Sequence, residues 1–310
     1  MQQNVRTGQT AGAARRIRRG ASLDNDQTLA ILFVLPATIL ILAIIVWPLM
    51  RGVYLGFTDA NGLTLEENFV GLENFVRIAK DRVFWISLSN SVIWTVATVG
   101  IGVPIAFAGA LLLNERIRGR GIFRGLILVP WVTPMVVAAV VWQWIYSFEY
   151  GVMNYVLWQL GVISQYISVF ADAQLAMPAA LAASVWKGIP FKLIVLLAGL
   201  QGIPEELYEV AKVDGANAFQ RFRHVTLPQM KSILTIVIIL QTVWAFNGFD
   251  LLYVLTRGGP GWSTHVLSIY VYLSSFQYWE LGYGAAMAVV MLAIMLVFAV
   301  LFIRQVLESF

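Results

Sequence analysis

The sequence has no cysteine, only two histidines, and charge on just 12% of its 310 residues. An average soluble domain carries about 25% charge, so a soluble enzyme of this length would lack the polar groups to cover its surface. The absence of cysteine excludes a disulfide framework, a thiolate metal site and a cysteine nucleophile. His224 and His265 are too few for most histidine-based metal or triad chemistry. No G-x-x-x-x-G-K-[ST] phosphate loop is present, and no nucleic-acid-binding motif. Strand-like alternation over ten-residue segments is also missing, which argues against a β-barrel. What the chain does have is apolar residues: 59% fall in the hydrophobic set and the mean hydropathy is +0.75. Disorder is excluded by the same numbers, and a polytopic membrane protein remains.

A bilayer core about 30 Å thick needs about 20 apolar residues as helix. Six runs qualify. Residues 29–50, 83–113, 125–148 and 283–303 carry no Asp, Glu, Lys or Arg. Residues 232–249 are likewise uncharged and continue past Asp250 to Thr256, while 173–204 are apolar except for Lys187 and Lys192. Pro36, Pro104, Pro130, Pro134 and Pro190 lie inside these runs. In water each would cost a helix about 3 kcal/mol, whereas in a bundle neighbouring groups satisfy the freed carbonyls. Each marks either a bend used in opening and closing or a harmless kink. The expected fold is all-α: a polytopic bundle of six transmembrane helices over residues 29–304, flanked by a basic tail (1–28) and a short C-terminus (305–310).

Basic residues choose the cytoplasmic side. Arg6, Arg15, Arg16, Arg18 and Arg19 precede the first run; Arg116, Arg118, Arg120 and Arg124 follow the second; Lys212, Arg221, Arg223 and Lys231 follow the fourth; Arg304 ends the last. The alternate segments carry only Arg51, Arg77, Lys80, Arg82 and Arg257 and concentrate acids: Asp59, Glu66, Glu67, Glu73, Asp81, Glu149, Asp172 and Glu280. Both termini are therefore expected in the cytoplasm. The first run is too long for a signal-peptide core and reads as an uncleaved helix.

The segment from Gly199 to Met230 is polar but patterned. Pro204 suits position N1 of a helix, with Glu205 and Glu206 in the first turn, where the dipole favours acids. Ile203, Leu207, Val210 and Ala211 fall at helical spacing, and Gly215 supplies a C′ stop. A second short helix carries Phe219 and Phe222, closed by Leu227-Pro228. Spacing alone leaves two readings of this helix-turn-helix: an interfacial helix lying in lipid headgroups, or a docking element for a cytoplasmic partner.

The residues Glu209-Val210-Ala211-Lys212-Val213-Asp214-Gly215-Ala216, followed by Leu227-Pro228, resemble the EAA motif of ABC importer permeases, with Val210 where the motif name has alanine. Other strings match in order: Asn68 to Phe75 before the second helix, Phe123-Arg124, Pro130-Trp131 and Trp142 in the third, Pro190-Phe191 and Leu196 to Leu200 in the fourth. Phe249-Asp250 and Leu255 to Pro260 resemble the fifth helix and its exit, and Gly282 to Ala286 the start of the last. Together they resemble the carbohydrate-uptake branch, relatives of the maltose and glycerol-phosphate permeases.

The resemblance implies a permease subunit in the cytoplasmic (inner) membrane of a bacterium or archaeon. It would pair with a second permease of similar fold, with two ATPase subunits inside and a substrate-binding protein outside. ATP and Mg would be held by those ATPases, with no cofactor in this chain. Its coupling loop (201–231) would pass the ATPases' closure to the helices and drive alternating access. By the same analogy Glu209, Ala211, Asp214, Gly215, Leu227 and Pro228 are the coupling residues. The cargo would be a sugar or oligosaccharide, with an acidic or phosphorylated one among the candidates.

Sugars are held by hydrogen bonds and by aromatic rings over their C–H faces. Gln241, Trp244, Asn247 and Asp250 on the fifth helix, Lys192 on the fourth and Asn90 on the second are the candidate pathway residues. Intramembrane polar groups mark pathways by default, though Gln and Asn also hold helices together. Trp142, Gln143, Trp144 and Tyr146 divide in the same way between pathway and interface belt. A cation near the bilayer centre costs about 2.5–3.5 kcal/mol, so Lys192 reads either as half of an ion pair, with Asp250 or a partner subunit, or as the contact for an anionic substrate. The two histidines are expected at the surface. An ion-coupled secondary transporter or channel is the alternative class, but it predicts inverted repeats, and none is evident. A membrane-embedded enzyme would need clustered histidines or carboxylates within the spans.

Overall fold

The computed structural model describes residues 23–115 and 119–307. Most of the basic tail, together with Arg116 and Arg118, lies outside the described residues. Among them the chain is helical, without a named strand, and Met1–Gly52 and Val53–Phe310 form two compact units. Four helices are long and apolar enough to cross a membrane: α1 (Leu29–Leu55), α3 (Arg82–Asn114), α7 (Ala176–Gln201) and α13 (Leu281–Phe302, helical on to Leu307). Two bent pairs bring the number to six if each is one span: α4 with α5 (Gly121–Val132 and Met135–Ile145, 96°), and α9 with α10 (Ala218–Gln229 and Lys231–Phe246, 65°). Shorter helices lie between them: α2 (Glu73–Lys80), α6 (Val152–Gln159), α8 (Glu205–Val213), α11 (Asp250–Thr256) and α12 (Leu267–Tyr272).

Helix α1 starts at Leu23, ahead of the apolar run, and contains a π-turn at Leu42–Val46. Pro36, Pro104 and Pro190 stay inside continuous helices. Pro134 does not: it is the N-cap of α5, directly after the extended Thr133 at the 96° bend. The ring removes a donor and disfavours helical backbone in the residue before it, so the third apolar run breaks at Pro134.

The centre of the second unit is the contact between α3 and α7. On α3 the buried positions Ser87, Ser91, Thr95, Thr98, Gly102, Ala106 and Ala110 recur every three or four residues, a stripe of small side chains that lets helices approach closely. A Cβ at Gly109 would lie 2.7 Å from Leu193 Cδ1 of α7. The hydroxyls of Ser87, Ser91 and Thr95 each donate to the carbonyl four residues back, and Ser91 Oγ also accepts from Leu267 N–H at 2.8 Å. Away from that stripe, Val96, Ile101 and Ile105 of α3 and Leu296, Val297 and Leu301 of α13 are exposed. Apolar surface on that scale belongs against lipid.

Two regions flank α3. At its start Asp81 caps the helix by accepting from Val83 N and also accepts from the hydroxyls of Tyr270 (2.5 Å) and Tyr283 (2.6 Å). Burial raises this carboxyl, but those hydrogen bonds and the backbone donors of Val83 and Phe84 hold it below the usual range. Near the other end Phe107 packs on Phe222 of α9, ring centroids 6.0 Å apart. At 1.5 Å per residue the two regions are separated by about 39 Å of helix. His265, expected at the surface, is buried beside the first region, with Nδ1 2.8 Å from Ser87 Oγ and its ring against Tyr270.

Candidate functional site

At the level of Lys192 the helices enclose a cavity of about 620 Å³. Helix α3 contributes Trp94 and Thr98, the α4–α5 break contributes Trp131 and Met135, and α7 contributes Ser184, Lys187, Gly188, Phe191 and Lys192; residues 241–252 form the remaining wall. Five of the six expected pathway residues line it: Lys192, Gln241, Trp244, Asn247 and Asp250. Gln241, Trp244, Asn247 and Asp250 converge because α10 stops at Phe246, with Asn247 as its C-cap, and the chain restarts as α11 at Asp250. A continuous helix would have turned these residues around the axis. The break puts these four along one wall, and Lys192 joins them from α7.

Asn90, the sixth, is not among the lining residues. Its side-chain amide donates to the carbonyls of Trp262 (2.7 Å) and His265 (3.1 Å), pinning the 257–266 loop to α3. Gln143 likewise donates to the carbonyl of Val254 at 2.7 Å, at the end of α11. Trp142 joins a cluster with Tyr146 and Trp186, whereas Trp144 is exposed.

The aromatic lining is larger than the candidates from sequence. Trp131 stacks on Phe191 (6.3 Å) and Phe191 meets Trp244 (5.1 Å). Phe191, Trp131 and Phe249 entered the sequence reading only as parts of family strings. Trp94 and Thr98 were not among the sequence candidates; the one sequence signal for Thr98 is its place in the small-residue stripe of α3.

The two lysines of α7 have different surroundings. Lys187 Nζ donates to the carbonyl oxygens of Pro130 (2.8 Å), Trp131 (2.9 Å) and Thr133 (2.7 Å). These are carbonyls that the end of α4 leaves unpaired, and a cation at a helix C-terminus is favoured. Lys192 is fully buried and its Nζ has no hydrogen-bond partner. No ion pair to Asp250 forms among the described residues.

The 201–231 segment is a helix-turn-helix. Pro204 is the N-cap of α8, one place before the expected N1, with Glu205 and Glu206 in the first turn. Gly215 has φ +78°, Gly215 N–H donates to the Lys212 carbonyl and Ala216 N–H to the Ala211 carbonyl (2.9 Å). This is a Schellman stop, for which glycine is favoured. Asn217 and Gln220 then form a capping box. Leu227-Pro228 does not close the second helix: a π-turn at Phe222–Thr226 carries it on to Gln229, and the 65° bend follows at Met230. The Tyr208 hydroxyl lies 2.9 Å from Thr226 Oγ1 and joins the two limbs. Of the coupling candidates, Glu209, Asp214, Gly215, Leu227 and Pro228 are exposed and Ala211 is half-buried. Val210 and Val213 are exposed as well, and α8 has no buried residue.

The described chain is helical, with four to six candidate membrane spans. Residues 98–308 match the family described as "Binding-protein-dependent transport system inner membrane component", and the chain belongs to that family. It is 36% identical over 283 residues to the trehalose/maltose transport system permease protein MalF of Thermococcus litoralis, covering 90% of this chain and 94% of that one. To the sulfoquinovosyl glycerol transport system permease protein SmoG of Agrobacterium fabrum it is 37% identical over 283 residues, covering 90% and 91%. The fold is similar to that in the crystal structure of a bacterial ABC transporter involved in import of the acidic polysaccharide alginate, with TM-score 0.81, 22% identity, and 92% and 96% of the two chains covered. The secondary-transporter and channel readings are not favoured by these matches.

Proposed function

We propose that the chain is the permease subunit of an ATP-driven sugar importer in the inner membrane of a bacterium or archaeon. Relatives over nine-tenths of the chain are permeases of transport systems named for trehalose/maltose and sulfoquinovosyl glycerol. The observation that carries the reading is the cavity at Lys192, lined by aromatic rings (Trp94, Trp131, Phe191, Trp244) together with polar groups (Gln241, Asn247, Asp250). Rings cover the C–H faces of a sugar and polar groups meet its hydroxyls. In this reading a binding protein delivers the sugar from outside, and a second permease completes the passage. Six spans with both termini inside follow from the distribution of basic residues.

Energy enters at residues 201–231. Two partner ATPases, which bind ATP and Mg, dock on the exposed α8 surface. Their closure moves α8, and the Tyr208–Thr226 contact and the Phe222–Phe107 packing carry the movement to α9 and α3. The cavity then changes the side to which it opens. Glu209 offers a carboxylate to a partner arginine, Ala211 allows close approach, and Gly215 holds the turn. The test is Gly215→Pro and Glu209→Lys in the complete transporter. Both are expected to abolish uptake while the chain still inserts. Substrate-stimulated ATPase activity persisting in the double variant would overturn the docking assignment.

A further inference from the structure

An ammonium taken out of water needs a partner, because desolvation disfavours the charge. Lys192 has 0% exposure and no partner at Nζ. Its head fits against glycines on two helices: a Cβ at Gly102 of α3 would lie 2.7 Å from Nζ, and one at Gly188 of α7 would lie 2.8 Å from it. Thr98, one turn before Gly102, has a buried hydroxyl that is also unpartnered. Thr98 and Lys192 line the same cavity. Two groups without partners therefore line one cavity, on packed helices.

The charge of the lining points the same way. It holds two ammonium groups, Lys187 and Lys192, and one carboxylate, Asp250. Lys187 is committed to three backbone carbonyls of the α4–α5 break. The Lys192 head is uncommitted, on a four-carbon stem flexible enough to swing from the glycine gap into the cavity.

We infer that Lys192 Nζ and Thr98 Oγ1 form a recognition point for the anionic group of an acidic sugar (a carboxylate, sulfate or phosphate), with Trp131, Phe191 and Trp244 against its ring. This rests on the sugar-importer reading above and adds the charge of the cargo. The anion supplies the acceptors that both groups lack. A neutral sugar would leave the ammonium desolvated and unpaired, so the cavity discriminates by charge as well as by shape.

The test uses the complete transporter, with its binding protein, in liposomes. The probes are digalacturonate, its uncharged methyl diester, galactose 6-sulfate and glucose 6-phosphate. The wild type is expected to move at least one acidic probe faster than the ester, and the three anions show which group is preferred. Lys192→Met should slow that probe at least tenfold and the ester less than twofold, while Lys192→Arg should keep most of the acidic rate. Equal loss of acidic and neutral transport in a correctly assembled complex would make Lys192 a structural or inter-subunit pair and overturn the inference, as would a wild type that prefers the ester. If Lys192→Met fails to assemble, Thr98→Val carries the same comparison. A wild type that moves neutral sugars only refutes the charge inference alone. One that moves no sugar across a wider panel refutes the sugar reading as well.

Discussion

Lys187 Nζ lies 2.7 Å from the carbonyl oxygen of Thr133, 54 residues earlier in the chain. With the Pro130 and Trp131 carbonyls it closes the end of α4 where the third apolar run bends by 96°. Lys187→Met removes all three bonds at once. The expected loss is at least the value of one hydrogen bond to a charged group, about 1.5–3 kcal/mol, measured as a lower Tm of the purified transporter. Transport of acidic and neutral sugars should fall together, in contrast to Lys192→Met.

The start of α13 packs against backbone. A Cβ at Gly282 would lie 2.1 Å from the Thr58 carbonyl oxygen, and Gly282 N–H donates to the Ala60 carbonyl. Gly282→Ala should therefore destabilise by about 1–3 kcal/mol, as overpacking does. Gly100 of α3 has nothing within 4 Å of its Cβ position, so Gly100→Ala should stabilise by about 0.5–1 kcal/mol through helix propensity. Thermal unfolding of the two variants in parallel checks the contrast.

Because the chain has no cysteine, Val213→Cys introduces its only thiol. Val213 is 88% exposed. A water-soluble maleimide should label this variant rapidly in the permease alone and at least tenfold more slowly in the complete transporter. Equal labelling rates would place the ATPase contact elsewhere.

Burial pushes the His265 imidazole down to about 4, and the Asp81 carboxylate only partly opposes the shift. In the unfolded chain the group titrates near 6.5. Between these values the unfolded state binds more protons, so stability rises with pH there. It is fully present above about 6.5 and is lost as pH falls through 4. The Tm of the purified transporter should drop across that window, and His265→Gln, which keeps a polar group near Ser87, should flatten the drop.

Much of the architecture was legible because a bilayer imposes a one-dimensional rule. A span must be long, apolar and uncharged: four of the six expected runs hold a helix long enough to cross, and the other two fall on the bent pairs. The fold of 201–231 was legible because its stops are chemical and local: glycine at a positive φ, acids in a first turn. The bends were not. Five prolines looked alike in sequence, yet only Pro134 caps a helix directly at a sharp bend, while the bend at Met230 lies two residues after Pro228. His265 was misplaced because a lone histidine in a glycine-rich loop gives no sign that Ser87, 178 residues away, will cover it.

The sequence by itself determined that this is a helical membrane chain, since apolar runs and local turn chemistry do not depend on distant partners, and its motif strings carried the resemblance to permeases. The tertiary structure alone decided which polar groups are satisfied. Lys187 and Lys192 are five residues apart on one apolar helix, and nothing along the chain says which of them finds partners. Only packing against the broken end of α4 gives one lysine three carbonyls, and only packing against Gly102 of α3 leaves the other enclosed without a partner.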